Sequence, residues 1–242
     1  MKIFIVSLKD ATQRRQNITK RMKDLGLSFE FFDAVDGRNG LSECYEPMID
    51  RNAIKRRLGG MSGGEIACAL SHALLYKKIV DENINNTIIL EDDVILSDDF
   101  SVMVTQELCE KSGKDFIFLY HLFARAMVWG KVPFFNKYSL VKLARTPNST
   151  AGYYLNNHMA NYLYENTIPI SWVADWNVNI ASINSGAMVP RIVQHPAIEN
   201  SGLEKNRQAI KKAFGQFGFY SYLCYKVKKI FSYKISKTVE GA

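Results

Sequence analysis

The sequence predicts a single α/β domain, with a mixed sheet that is parallel at its centre and flanked by helices, followed by a C-terminal helical tail. Short apolar runs alternate with segments of helical periodicity, which is the pattern of α/β sheets. The length of 242 residues suits one domain with a substantial core. Lysines and aromatic residues become dense from Gly215 onward. We therefore predict a domain at 1–214 and a tail at 215–242.

The first predicted elements follow from short apolar runs and their flanking signals. Residues 2–8 form a predicted strand and 11–26 a predicted helix. A second strand at 28–35 ends at an Asp-Gly turn signal, and an irregular polar stretch follows over 38–60. The next helix covers 62–81 and opens with Ser-Gly-Gly-Glu, a capping pattern.

The alternation continues to the end of the domain. Residues 87–90 form a buried strand that stops abruptly at three acids. In such sheets, ligands bind at the carboxyl ends of the strands, so these strand ends are the candidate site. The remaining predicted elements are a helix over 98–111, strands at 115–120 and near 139–144, 150–155 and 188–194, and helices near 157–166 and 175–184.

Cellular location can also be predicted. The four cysteines are scattered without a CxxC pair, which is typical of free thiols in a reducing cytosol. The first apolar run is too short for a signal peptide, and no run approaches the roughly 20 apolar residues that span a bilayer. We expect a cytoplasmic protein.

The tail carries a large part of the net charge of +7. It has five lysines and one acid, interleaved with aromatic and aliphatic residues that would share a helix face. This combination is typical of a helix on an anionic membrane surface, here the inner face of the cytoplasmic membrane. The alternative is a helix packed on the domain with a solvated lysine edge. Nucleic-acid binding is a third possibility for the basic tail, and no other feature of the chain supports it.

Glu91, Asp92 and Asp93 form the sharpest local feature. Three carboxylates at the end of one strand repel one another, and a divalent cation such as manganese or magnesium relieves that repulsion. Such an ion could neutralise a departing diphosphate. A run of three acids also arises by chance, so the motif does not identify a metal site by itself.

Arg14 and Arg15 fall near the start of the first predicted helix. Cations are disfavoured there because the helix N-terminus is already partly positive, unless an anion such as a diphosphate binds nearby. The alternative is pairing with Asp10 or Asp24. Arg14 is the better candidate for a binding role.

Glu65 and His72 lie on one stripe of an otherwise apolar helix. A buried acid and imidazole need partners or a ligand. Capping explains Glu65 in part, and a lone histidine is more often structural than functional. The helix therefore gives two weaker candidates.

Asp175 lies between Trp172 and Trp176. Aromatic rings stack on sugars while a carboxylate accepts hydroxyl protons, so the two tryptophans are candidates for acceptor binding. Asp175 could equally cap a helix. His195 is the remaining imidazole that could reach the metal or diphosphate.

Four segments together resemble glycosyltransferase family 25, the lipooligosaccharide-biosynthesis glycosyltransferases. Looser matches follow at TAGYYLNNHMANYL (150–163) and WVADW, so the resemblance covers nearly the whole chain. One departure is Ala67, where the family usually has glycine. The four segments are IFIVSLKDATQRRQNI (3–18), FEFFDAVDGR (29–38), GGEIACALSHALLYKKIV (63–80) and IILEDDV (88–94).

The resemblance implies a GT-A-like fold and inverting transfer of a hexose, most often galactose from UDP-galactose. The product would be a β-linkage on a lipid-linked lipooligosaccharide or lipopolysaccharide core. By analogy, the acidic motif Glu91-Asp92-Asp93 would hold manganese and the diphosphate, with Glu91 and Asp93 as metal ligands, and His195 is the further candidate ligand suggested by its position. An inverting reaction also needs a general base, for which we select Asp175 with Glu65 in reserve. The residues assigned to the nucleotide sugar are Ser7, Arg14, Asp36, His72 and Asp92.

Two other functions stay open from the sequence. One is a non-catalytic nucleotide- or saccharide-binding module that uses the same cleft. The other is a metal-dependent nucleotidyl or phosphoryl transferase, which would release a different product.

Overall fold

The computed structural model describes residues 1–57, 59–104, 111–196 and 229–235. Its helices are α1 (Thr12–Asp24), α2 (Arg51–Arg56), α3 (Gly63–Asp81), α4 (Phe100–Met103) and α5 (Asn157–Thr167), with 3-10 helices at Glu43–Met48 and Ile180–Ser182. Its strands are β1 (Lys2–Ser7), β2 (Glu30–Asp33), β3 (Asn86–Glu91), β4 (Ile95–Leu96), β5 (Phe116–Phe118), β6 (Arg125–Phe135), β7 (Tyr138–Leu143), β8 (Gly152–Asn156), β9 (Ser185–Val189), β10 (Val193–Gln194) and β11 (Ser232–Lys234).

Nine of the strands form one mixed sheet in the order β11-β6-β7-β9-β5-β8-β3-β1-β2. β1 pairs in parallel with β2 and β3, and β5 pairs in parallel with β9. These parallel pairings lie on either side of β8, which runs antiparallel between β3 and β5. The predicted α/β class with a mixed sheet is confirmed.

Helices cover both faces of this sheet. Because side chains alternate along a strand, Ile5 of β1 faces one core and Phe4 faces the other. α1 packs on the first face through Met22, while α3 and α5 pack on the second through Leu75 and Leu163. Burial on both faces explains why β1 is a continuous apolar run rather than an alternating one.

Most predicted elements through α3 and β3 are confirmed with ends shifted by a few residues. The polar stretch at 38–60 is more ordered than predicted, because it contains α2 and a 3-10 helix. The predicted helix at 98–111 is represented by α4, and 105–110 lie outside the described residues.

Two elements near residue 180 were predicted wrongly. The expected helix near 175–184 reduces to the 3-10 helix Ile180–Ser182, because Trp176 adopts a positive φ of 56° that interrupts a helix. The expected strand near 188–194 is divided between β9 and β10. Pro190 follows β9 directly and has no N–H for the ladder.

The predicted helical tail is described only at residues 229–235, where residues 229–230 are helical and a strand follows. Residues 232–234 form β11, which pairs antiparallel with β6 at the edge of the sheet. Edge pairing satisfies backbone groups that β6 would otherwise expose. Residues 197–228 and 236–242 lie outside the described residues, and so do most of the aromatic and aliphatic residues of the tail. Within the described part of the chain, no helix is both long and apolar enough to cross a membrane.

Candidate active site

The candidate site forms where β1 and β3 end. The two strands are parallel neighbours, with Val6 opposite Glu91. Ser7 ends β1 and Glu91 ends β3, so both strands open at the same edge of the sheet. This is the edge at which α/β sheets bind ligands.

Asp92 connects the two strand ends. Its carboxylate is buried and accepts a hydrogen bond of 2.6 Å from Ser7 Oγ. Arg14 Nη1 donates to its other oxygen at 3.1 Å and lies 3.5 Å from Asp93 Oδ2. The Arg14 side chain remains 58% exposed, so its guanidinium is held over the strand ends and still available to an anion.

Arg15 has a different role from Arg14. It donates to the Ser7 and Leu8 carbonyl oxygens at 3.0 and 3.1 Å and pairs with Asp33. These contacts tie α1 to the ends of β1 and β2. The preference for Arg14 as the binding residue agrees with this geometry.

Asp36 follows β2 and is held by Arg38, which donates to both of its carboxylate oxygens. Hydrogen bonds from Arg38 lower the pKa of Asp36 to about 2. The intervening Gly37 packs directly on α3, because an added Cβ would lie 2.3 Å from the Gly63 carbonyl oxygen. Glycine is therefore needed to bring this loop against the helix.

These residues surround a cleft that we call the β1 cleft, with a cavity volume of about 210 Å³. It extends from the end of β1 to the N-terminal half of α3. All of the residues that the sequence assigned to the nucleotide sugar line it: Ser7, Arg14, Asp36, His72 and Asp92.

His72 closes the floor of the β1 cleft from α3. It is buried, and its Nδ1 lies 2.7 Å from the Tyr153 hydroxyl, which in turn lies 2.9 Å from the Tyr76 hydroxyl. Burial lowers the pKa of His72 to about 4, so the ring is neutral at pH 7. Its Nε2 lies 3.9 Å from Glu91 Oε1 and has no hydrogen-bond partner among the described residues.

Glu91, Asp93 and His195 form the one cluster of potential metal ligands in the described part of the chain. Each offers a ligand atom within 4.8 Å of the others. His195 Nε2 lies 3.0 Å from Asp93 Oδ1, and the contact with Asp93 raises the pKa of His195 to about 9. Burial raises the pKa of Glu91 to about 7, although Thr150 Oγ1 donates to it at 2.6 Å. The structure therefore brings the three predicted ligands together.

A second cleft, the Asp175 cleft, adjoins the first and has a cavity volume of about 240 Å³. Glu91 and Asp93 line both clefts. Asp175 lines the second, and its Oδ1 accepts a hydrogen bond of 3.1 Å from the Ser149 backbone. Glu65 also lines it, but its Oε2 already accepts the Ser62 backbone N–H at 2.8 Å in the predicted capping box. Asp175 is thus the better placed of the two candidate bases.

The two tryptophans have different environments. Trp176 is only 8% exposed and packs edge-on against Phe116, Phe118 and Tyr153. This burial leaves the Trp176 ring no free face that could stack on an acceptor sugar, so that prediction is wrong. The positive φ of Trp176 accompanies the turn of its ring into the core. Trp172 is 38% exposed, and its ring lies 3.8 Å from the Arg57 guanidinium carbon.

Sequence reasoning missed three contributors to the site. Thr150 donates to Glu91, Tyr153 supports His72, and Tyr120 lies beside the His195 ring at 5.9 Å between centroids. Thr150 and Tyr153 belong to the TAGYY segment. That segment was a usable signal, but nothing in it indicates which side chains turn toward the site.

Comparison with known proteins gives matches over most of the chain. Residues 1–178 match the family described as "Glycosyltransferase family 25 (LPS biosynthesis protein)". The lacto-N-neotetraose biosynthesis glycosyltransferase LgtE of Neisseria meningitidis is 27% identical, over 90% of this chain and 90% of its own. The lipooligosaccharide biosynthesis protein lex-1 of Haemophilus influenzae is 28% identical, over 86% of this chain and 83% of its own.

Proposed function

Because the chain belongs to glycosyltransferase family 25 and is a glycosyltransferase of lipopolysaccharide or lipooligosaccharide biosynthesis, we propose that it transfers a hexose from a UDP-sugar by inversion. UDP-galactose is the proposed donor, and a β-linked galactose the proposed product. The observation that carries the proposal is the position of Glu91 and Asp93 on the boundary between two clefts. One cleft would hold the donor and the other the acceptor.

The β1 cleft suits the nucleotide diphosphate. Arg14 and Arg38 both line it, and guanidinium groups bind phosphate oxygens through paired hydrogen bonds. Asp92, whose carboxylate accepts a hydrogen bond from Ser7, holds Arg14 in position. The loop at Asp36, packed against α3 through Gly37, forms the opposite wall.

The cluster of Glu91, Asp93 and His195 fits a divalent cation. It offers two carboxylate oxygens and one imidazole nitrogen within reach of one ion, and manganese accepts such a mixed set more readily than magnesium does. When bound, the ion would neutralise the negative charge that develops on the departing diphosphate.

Asp175 is the proposed general base. In an inverting displacement, the acceptor hydroxyl oxygen bonds to the anomeric carbon as the bond to the UDP oxygen breaks. The hydroxyl proton passes to a carboxylate on the acceptor side. Asp175 is oriented by the Ser149 N–H and faces the cleft that also contains Glu91 and Asp93. Glu65 is the reserve candidate.

The acceptor is proposed to be a lipid-linked core saccharide. Two of the related proteins carry names that refer to lacto-N-neotetraose or lipooligosaccharide biosynthesis, which supports an oligosaccharide acceptor. Such an acceptor is anchored in a membrane, and the basic C-terminal segment supports association with its anionic inner face.

A donor screen tests this proposal. Purified protein is incubated with individual UDP-sugars and a soluble core-oligosaccharide acceptor, with manganese or with excess chelator, and free UDP is measured. We expect UDP release with UDP-galactose and manganese, and loss of that release in chelator. Pyrophosphate release would instead indicate nucleotidyl transfer. UDP binding without donor consumption across all acceptors would indicate a non-catalytic module.

A further inference from the structure

Large apolar side chains are exposed at one edge of the sheet. Val128, Trp129 and Val132 on β6 are 56%, 50% and 59% exposed. Ile230 and Phe231, just before β11, are 73% and 46% exposed. We call these five residues the edge patch. Concentrated apolar exposure of this kind marks an interaction surface more often than scattered single residues do.

The edge patch is held together by tertiary contacts. The Trp129 and Phe231 rings lie 5.6 Å apart between centroids. The Val128 backbone N–H donates to the Phe231 carbonyl oxygen at 2.9 Å, and β11 continues the pairing with β6. Two distant segments of the chain therefore converge, and the aromatic rings of Trp129 and Phe231 share one surface.

The surroundings of the patch are basic. Residues 125–143, which form β6, the following turn and β7, contain four cations and no acid. Lys131, Lys229 and Lys234 are exposed beside the patch. A second copy of the same surface would meet it with like charge, whereas an anionic surface would complement it.

We propose that the edge patch is the membrane-contacting surface of the protein and binds an anionic lipid bilayer. Trp129, Phe231 and their aliphatic neighbours would enter the interfacial region, where amphipathic rings are favoured. The exposed lysines would meet the lipid headgroups. This inference rests on the membrane association included in the proposed function and assigns it to specific residues.

The chain itself limits the distance between the patch and the acceptor side of the active site. Leu122 lines the Asp175 cleft, and Trp129 follows it by seven positions, which an extended chain spans in at most about 25 Å. An acceptor anchored in a bilayer at Trp129 would therefore have to extend no further than that to reach Leu122.

The test uses the full chain and vesicles of phosphatidylcholine with or without phosphatidylglycerol. We expect sedimentation with the anionic vesicles, reduced by salt. The double variant Trp129→Ser, Phe231→Ser should lower the partition coefficient about tenfold or more, because two aromatic side chains no longer bury apolar area. Val102→Ser, at a residue that is 49% exposed elsewhere, is the matched control and should bind as the unmodified protein does.

Brominated lipids test direct contact. Quenching of tryptophan fluorescence should occur in the unmodified protein and disappear in Trp129→Phe, which should still sediment with vesicles. The inference is overturned if the double variant binds normally, if quenching persists in Trp129→Phe, or if the full chain never binds. It is also overturned if the double substitution abolishes only a dimer seen by analytical ultracentrifugation.

Activity measurements separate this inference from the proposed transfer reaction. The double variant should release UDP at the normal rate with a soluble acceptor and more slowly with an acceptor embedded in vesicles. If no form of the protein releases UDP, the transfer proposal fails while the vesicle result still decides the role of the patch.

Discussion

The β1 cleft and the Asp175 cleft share a wall but differ in charge. The β1 cleft contains Arg14 and Arg38, which pair with Asp92 and Asp36, and it is also lined by Glu91 and Asp93. Among the described residues, the Asp175 cleft is lined by four carboxylates and His195, with no lysine or arginine. Among the lining residues that the structure describes, arginines occur only in the β1 cleft, and a cation at Glu91 and Asp93 would neutralise the carboxylates that both clefts share. An anion is then favoured in the first cleft, and a neutral, hydroxyl-rich molecule in the second.

The difference indicates how one small site can handle two substrates of unlike charge. Glu91 and Asp93 belong to both clefts, so an ion held there would lie where the diphosphate and the acceptor meet. We therefore expect a substitution in the β1 cleft to affect donor binding and one in the Asp175 cleft to affect the chemistry of the acceptor. A substitution at a residue that lines both clefts should affect both. Four substitutions test this division.

Asp93→Asn should have the largest effect because Asp93 lines both clefts and lies next to His195. We expect a loss of turnover of about 10³-fold or more, the order that loss of a central electrostatic contact can cost. UDP release gives the rate, and thermal unfolding checks that the variant is folded. Asp98→Asn, at a carboxylate that is 96% exposed, should be fully active. Normal activity of Asp93→Asn, or of the unmodified protein in excess chelator, would refute the metal role.

Asp175→Asn should lower kcat by about 10²- to 10⁴-fold, the usual contribution of a general base. Donor KM should change little, because Asp175 lines only the acceptor cleft. Asparagine retains an oxygen that can accept the Ser149 N–H, so the loop should keep its conformation. Steady-state kinetics measures both constants, and Glu165→Gln on the exposed side of α5 is the control. An unchanged kcat would mean that Asp175 is not the general base and would leave Glu65 as the candidate.

Arg14→Gln should raise the donor KM about 10- to 100-fold, which corresponds to loss of one charge-assisted hydrogen bond. The acceptor KM should stay the same because Arg14 lines only the β1 cleft. Lys20→Gln, exposed on the same helix, removes an equal charge and should leave both constants unaltered. A rise in acceptor KM alone would reverse the assignment of the two clefts.

Tyr153→Phe should have the smallest effect on catalysis and a clear effect on stability. It removes the hydroxyl that lies 2.7 Å from His72 Nδ1, so a buried polar atom loses its partner. Urea denaturation should show a loss of about 1–3 kcal/mol, while kcat falls less than about tenfold. Tyr162→Phe on the half-buried face of α5 should be nearly neutral. Equal stability of the two variants would mean that the buried tyrosine and histidine do not support the cleft floor.

Much of the fold could be predicted because its signals are local. β1 and β3 are short apolar runs, and α3 begins at a capping box whose four residues are adjacent in sequence. β6 was missed because residues 128–133 are exposed on both faces and give no alternation. β11 was missed because its strand conformation depends on pairing with β6.

The candidate site, like the fold, could be predicted from the sequence only in part. Ser7, Glu91 and Asp93 could be located because strand ends in α/β sheets are predictable from the sequence. The sequence could not give the burial of Trp176, since the direction of its ring depends on the aromatic residues of β5 and β8. Nor could it give Thr150 as the partner of Glu91, because that contact depends on β8 lying beside β3.

By itself, the sequence determined the alternation of strands and helices, the acidic strand end and the family. These depend on hydrophobic periodicity, capping and short motifs, which act over a few residues. The tertiary structure decided that His195 meets Asp93, that Arg14 reaches Asp92, and that Trp129 and Phe231 share one surface. Such contacts join residues far apart in the chain, and strand order and packing fix them without leaving a local pattern.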